Sequence, residues 1–190
     1  MALFFMLKTW KNFPLNFSES LCYNIFEGMF MKYTNEEFNN IVKDIISNET
    51  VQNLRTYKHH YGSNRYEHSV SVAYSAYKIC KFLGLDHVSA ARAGLLHDLF
   101  LYDCANPETR PKNHITNHPK VALENAQKLF ILNDIEQDIV LKHMWPVTTA
   151  TPRYLETFIV TFIDKYCAIK EWSYYCKYTL WNWYFSWLYA

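Results

Sequence analysis

Only four glycines occur in 190 residues, and no stretch alternates apolar with polar residues. Hairpin turns and half-buried strands therefore have little to build on. No run approaches the ~20 consecutive apolar residues of a membrane-spanning helix. An excess of one charge is missing as well: 19 basic against 18 acidic residues leave a net charge of +1. That balance gives no general electrostatic reason to expect a nucleic acid or an anionic membrane as partner. The cysteines (Cys22, Cys80, Cys104, Cys167 and Cys176) are odd in number and include no C-x-x-C pair. Neither a disulfide framework nor a zinc knuckle is indicated, and a reducing cytoplasm is the expected compartment. The opening MALFFMLK has no basic residue ahead of its short apolar run, so it reads poorly as a signal peptide.

What is present is apolar material at helical spacing. Half of the residues are hydrophobic, enough for one domain with a sizeable core. Residues 1–30 hold scattered aromatics without a clear period and are expected to be an extension, with Met31 as a candidate start. The domain is expected to fill 31–190 as a helical bundle. Thr34 and Glu37 form a T-x-x-E capping box ahead of Phe38, Ile41, Val42, Ile45 and Ile46. A short second helix near 50–60 is expected to end at Gly62. The third runs over about 66–83, burying Val72, Ala73, Ala76, Cys80 and Leu83, with Gly84 as its stop. Asp86 caps a fourth through about Leu101, rich in small residues. Pro119 is expected to open a fifth at its first turn, and Asp134 to cap a sixth that closes before Pro146. The seventh is expected to carry Leu155, Phe158, Ile159, Phe162, Ile163 and Tyr166. The fold class is all-α.

The final YTLWNWYFSWLYA places seven aromatic residues in thirteen. Lacking the basic face of an interfacial membrane helix, it is expected to pack on the domain or to form a homodimer contact.

The polar residues that share the apolar stripes carry the chemistry. His68 lies four and eight residues before Val72 and Ala76, so it points into their seam. Asp98 follows Gly94 by four and Ala91 by seven, and also faces inward. In an antiparallel pair of helices around Gly84, His68 and His97 differ in level by only ~5 Å at ~1.5 Å per residue. His143 continues the stripe of Ile135 and Ile139, and Asp164 is four residues from both Val160 and Ala168. Inward imidazoles and carboxylates on successive helices are how bundles build metal sites. Such a donor set suits Mn, Fe, Co, Ni or Zn, as one or two ions, better than an all-oxygen Ca or Mg cage.

His68, His97-Asp98 and Asp164 together resemble the H...HD...D signature of the HD-domain superfamily, all-helical metal-dependent phosphohydrolases, over roughly residues 59–168. The resemblance implies that these four residues hold one divalent metal, with Asp98 bridging to a second. His118 and His143 fall in the order in which binuclear members supply ligands to that second ion. The chain departs from the cyclic-dinucleotide phosphodiesterase branch, which has a lysine shortly after its HD and a paired histidine and glutamate; this sequence has HDLFLYD and KHMW. Small stand-alone bacterial members are more similar.

The expected activity is hydrolysis of a small phosphorylated substrate (a phosphomonoester, nucleotide or phosphodiester) by a metal-activated water that Asp98 orients. Arg65, one helical turn before His68, is the candidate for bidentate phosphate contact. Lys58, His59, His60 and Asn64 are placed at the same mouth, and Asp103 is a candidate to hold a ligand imidazole. His87 and His114 are assigned to the surface. Two other readings stay open: a mixed-valent di-iron oxygenase of the same fold, and a non-catalytic sensor or interaction module.

Overall fold

The computed structural model describes residues 35–59 and 63–188, with the side chains of 174 and 182–188 left aside. The expectations for Thr34, His60, Gly62 and residues 1–30 lie outside the described residues. Among those described there are seven helices and no strand. They are α1 (Glu36–Ile46), α2 (Glu49–Gln52), α3 (Arg65–Phe82), α4 (His87–Leu96), α5 (His114–Leu129), α6 (Asp134–Lys142) and α7 (Leu155–Leu188). A 3-10 turn, Asn53–Thr56, follows α2. No described helix is long and apolar enough to cross a membrane.

The centre of the bundle is α3, packed on α4 and α7, while α6 closes over α4 and α7. Small residues set the closeness of α3 and α4. A Cβ built on Gly94 would lie 2.8 Å from the Cα of Ala73, so only glycine fits there. Ala73, Ala76, Ala90, Ala91 and Ala93 are fully buried around that crossing. Between the two helices Gly84 takes φ +70°, the left-handed stop expected of it. Leu83, expected inside, is 54% exposed because the chain has already turned away.

Four boundaries differ from expectation, each for a local reason. Helix α4 stops at Leu96 rather than near Leu101. The His97 ring takes up the Gly94 carbonyl (Nδ1 to O 2.8 Å), and Phe100 N turns back onto the Asp98 carbonyl at 2.8 Å. His97 and Asp98 therefore stand in a tight turn, not on a helix face. Pro119 lies inside α5, which starts at His114 behind a left-handed Asn113. Its early turns are supported by side chains instead: Thr116 Oγ1 donates to Asn113 O, and Asn117 Nδ2 to Lys112 O. The cap of α6 is Asn133, in a reciprocal capping box with Glu136, one residue before the expected Asp134. The aromatic C-terminal stretch is not a separate element but the continuation of α7.

The buried face of α7 also differs. Leu155, Phe162 and Tyr166 are exposed, whereas Thr157, Val160, Thr161, Ile163 and Cys167 are buried. Both faces of this helix are apolar enough to sit inside, so hydrophobicity does not choose between them. Partners for its polar groups do: Thr157 Oγ1 donates to Asp138 at 2.8 Å, and Glu156 accepts from Asp86 N at 3.0 Å. Beyond Glu171, Trp172, Tyr175, Tyr178 and Trp181 are 42–63% exposed.

Candidate metal centre

Each inward polar residue is delivered by a helix terminus or by a helix bonded at its terminus. Asn64 caps α3 by accepting from Glu67 N at 2.9 Å, which sets His68 on the next turn, fully buried. His97 and His143 occupy equivalent places as the C-caps of α4 and α6. His118 stands on α5 and Asp164 on α7.

Two ligand-like groups result: His68, His97 and Asp164, then Asp98, His118 and His143. Within each, the candidate atoms all lie within 4.8 Å of one another. His68 Nε2 is 3.0 Å and His97 Nε2 3.6 Å from Asp164 Oδ1. Asp98 Oδ1 is 3.4 Å from His118 Nε2 and 3.5 Å from His143 Nε2. The His97-Asp98 dipeptide joins the groups, with His97 Nε2 3.8 Å from Asp98 Oδ2.

The hydrogen bonds test whether this arrangement fits a metal. The Nδ1 atoms of His97, His118 and His143 lie 2.8, 3.0 and 2.9 Å from the carbonyls of Gly94, His114 and Val140. A carbonyl only accepts, so each Nδ1 carries a proton, and a ring that is neutral has its lone pair on Nε2. Their Nε2 atoms converge: His118 Nε2 and His143 Nε2 are 2.9 Å apart. His97 Nε2 and Asp98 Oδ1 are buried without a hydrogen-bond partner. Buried polar atoms left so are costly, and a divalent cation between them satisfies all of them at once. The residues fit a metal.

Electrostatics point the same way. Burial, then the neighbouring His97 charge, pushes His143 down to about 3, so it offers a free lone pair at neutral pH. Burial opposes ionisation of Asp98, but His97, then His118 and His143, hold it below the usual carboxylate range. For Asp164 burial is likewise outweighed, by the hydrogen bond from His68 and then by the nearby His97. His68 is the opposite case. Burial would depress it, yet its bonds to Asp164 and Glu171 carry it up to about 10. Without a cation a proton fills that place, and a metal must displace it.

The remaining sequence candidates are sorted differently. Arg65, the candidate for phosphate contact, is turned into the protein. Its fully buried guanidinium donates to Phe100 O (2.6 Å) and Tyr102 O (3.2 Å) and lies 3.6 Å over the Phe100 ring. It clamps the chain leaving the HD turn, using the planar fork that was expected to meet phosphate. His114 is not a surface residue: it bonds Tyr102 Oη at 2.8 Å, contacts Cys104 Sγ at 3.4 Å and packs on the His118 ring. Burial, then the neighbouring His118 imidazole, lowers it to about 4. Asp103 holds no imidazole and instead accepts from Ala105 N in a local turn. His87 reaches Glu37 at 3.2 Å at the rim of α4, Lys58 is exposed, and the His59 ring lies 4.1 Å from that of His68.

Two residues at the centre were not singled out from the sequence. Glu171 bonds His68 Nδ1 at 2.9 Å, and Lys165 Nζ lies 3.8 Å from Asp164 Oδ2 while donating to His143 O at 2.9 Å. Glu171 had a signal, since it lies seven residues after Asp164, two turns along the same helix face. The family model described as HD domain matches residues 65–169. No curated protein and no solved structure matches the chain.

Proposed function

The chain belongs to the HD-domain family, and from that premise we propose that it is a metal-dependent phosphohydrolase acting on a small phosphomonoester, nucleotide or phosphodiester. The observation that carries the reading is the pair of abutting groups, His68, His97, Asp164 and Asp98, His118, His143, which converge with His97 Nε2 and Asp98 Oδ1 buried and without a hydrogen-bond partner. These residues would hold one or two divalent ions. When bound, such ions supply Lewis acidity, lowering the pKa of water and drawing charge from a phosphoryl oxygen.

The chain's own residues do the rest. Asp98, kept ionised by three imidazoles, accepts a hydrogen bond from the attacking water and aims it at phosphorus. Lys165 is partly exposed, its side chain 31% open, and its bond to the His143 carbonyl fixes its charge beside Asp164. It takes the role first assigned to Arg65, contact with a non-bridging phosphate oxygen. Phe100 and Leu99 are buried behind the HD turn and keep bulk water from its rear. The water oxygen bonds to phosphorus as the P–O ester bond breaks, and the proton that the water releases is balanced by the one that the departing oxygen takes up.

A panel of phosphate esters, assayed with Mn, Co and Ni on protein of known metal content, tests the reading. Hydrolysis that needs metal, with Lys165→Ala raising KM while leaving metal content unchanged, is expected. Stoichiometric metal without turnover of any ester would overturn it. The same six ligands also favour the di-iron oxygenase as a second reading, separated by anaerobic iron loading followed by oxygen.

A further inference from the structure

We propose that Glu171 is a positioning residue that makes the two halves of the metal centre unequal, so that the ion held by His68, His97 and Asp164 binds first and more tightly. The proposal rests on the metal centre of the phosphohydrolase reading but not on its substrate.

Four imidazoles face the centre, and three of them give the Nδ1 proton to a neutral backbone carbonyl. His68 differs: its Nδ1 is 2.9 Å from Glu171 Oε1. The carboxylate is buried and spends its second oxygen on Ser63 Oγ, at 2.8 Å. A carboxylate removed from water is retained only where partners compensate it, and here both oxygens are engaged. Asp164 and Glu171 stand two turns apart on α7 and approach the same ring from opposite edges, at Nε2 and Nδ1. Such a ring is held in one orientation, and once a metal displaces the Nε2 proton the lone pair there points towards Asp164.

The consequence is electrostatic as well as geometric. A carboxylate on the far nitrogen makes an imidazole a more basic ligand, and partners of this kind are worth ~10–100-fold in metal affinity. Only the first group includes the imidazole that receives this help. The second group binds with neutral carbonyls behind both of its rings.

Titration of the metal-stripped full chain with Co(II), followed by visible absorption and by competition with a chelator, is the test. Wild type is expected to bind two equivalents in separable steps. Glu171→Ala should weaken the tighter step ~10–100-fold, shift its Co(II) bands and leave the looser step unchanged. Glu171→Gln retains an acceptor without the charge; it should lose less, and it carries the test should the alanine variant not fold. Equal weakening of both steps, tracking the unfolding midpoint, would reduce Glu171 to a structural role. Unchanged binding in both variants would overturn the proposal, as would a third wild-type equivalent lost in Glu171→Ala, since His59, His68 and Glu171 also lie within ligand reach. Phosphate esters do not enter this measurement, so failure of the hydrolase reading leaves its outcome legible.

Discussion

His118 Nε2 and His143 Nε2 face each other 2.9 Å apart, each ring having committed its Nδ1 proton to a backbone carbonyl. With His143 held neutral, its Nε2 lone pair points at the His118 ring beside an ionised Asp98. If a second ion occupies that place, His118→Ala and His143→Ala should each lower bound metal from about two per chain towards one and impair turnover. Elemental analysis of purified variants reads this directly. Wild type holding one ion or fewer, with both variants fully active, would leave a single-metal centre.

Arg65 gives a second prediction, on stability rather than binding. Arg65→Ala should leave the Phe100 and Tyr102 carbonyls without their donor, at a cost of roughly 1–3 kcal/mol for each group left unmatched. Arg65→Lys should also destabilise, since an ammonium cannot bond two carbonyls in one plane while stacking on Phe100. Urea unfolding measures both. A Lys variant of wild-type stability with a raised KM would return Arg65 to the substrate.

How far the sequence reached can be judged from these residues. His68 and Asp164 were legible because each lies four residues from a buried Val on its helix, and that spacing survives small errors in the boundaries. His97 and Asp98 were found for a partly wrong reason. They were placed on a helix face, whereas ring and backbone bonds end the helix just before them. Arg65 was misread because spacing to His68 shows proximity, not which way a long side chain turns. Once the chain leaving the HD turn brings the Phe100 and Tyr102 carbonyls to it, the guanidinium is drawn inward. The wrong face of α7 has a similar origin: apolar residues cover both sides, and only tertiary partners such as Asp138 decide its rotation.

Asp138 supplies a third prediction. Its carboxylate accepts from Arg153 N and Thr157 Oγ1 and pairs with Lys142, tying α6 to the start of α7. Burial opposes ionisation, but the hydrogen bond from Lys142, then those from Arg153 and Thr157, lowers its pKa below 3.8. A depressed folded pKa means that this contribution is complete above the unfolded value and fades as pH falls through the folded one. Asp138→Asn should therefore flatten the acid limb of the stability curve. Asp138→Ala should cost about 1–3 kcal/mol near neutral pH, with metal content unchanged. A wild-type unfolding midpoint in the alanine variant would show that α7 is anchored elsewhere.

The last prediction concerns the metal-stripped protein at alkaline pH. His68 stands at about 10 when folded, against 6.5 for an ordinary imidazole, because two carboxylates outweigh its burial. A raised folded pKa means that the folded state holds a proton the unfolded chain has already released. The stabilisation is whole below about 6.5 and is lost progressively as pH rises towards about 10. The stripped protein should therefore lose stability across that window. With metal bound the same nitrogen has no proton to lose, so the slope should shrink, and metal uptake near neutral pH should release protons. Paired thermal unfolding at pH 6.5, 8 and 9.5, with and without Co(II), separates the two states. A stripped protein whose stability stays level over that range would show that Asp164 and Glu171 do not hold a proton on His68.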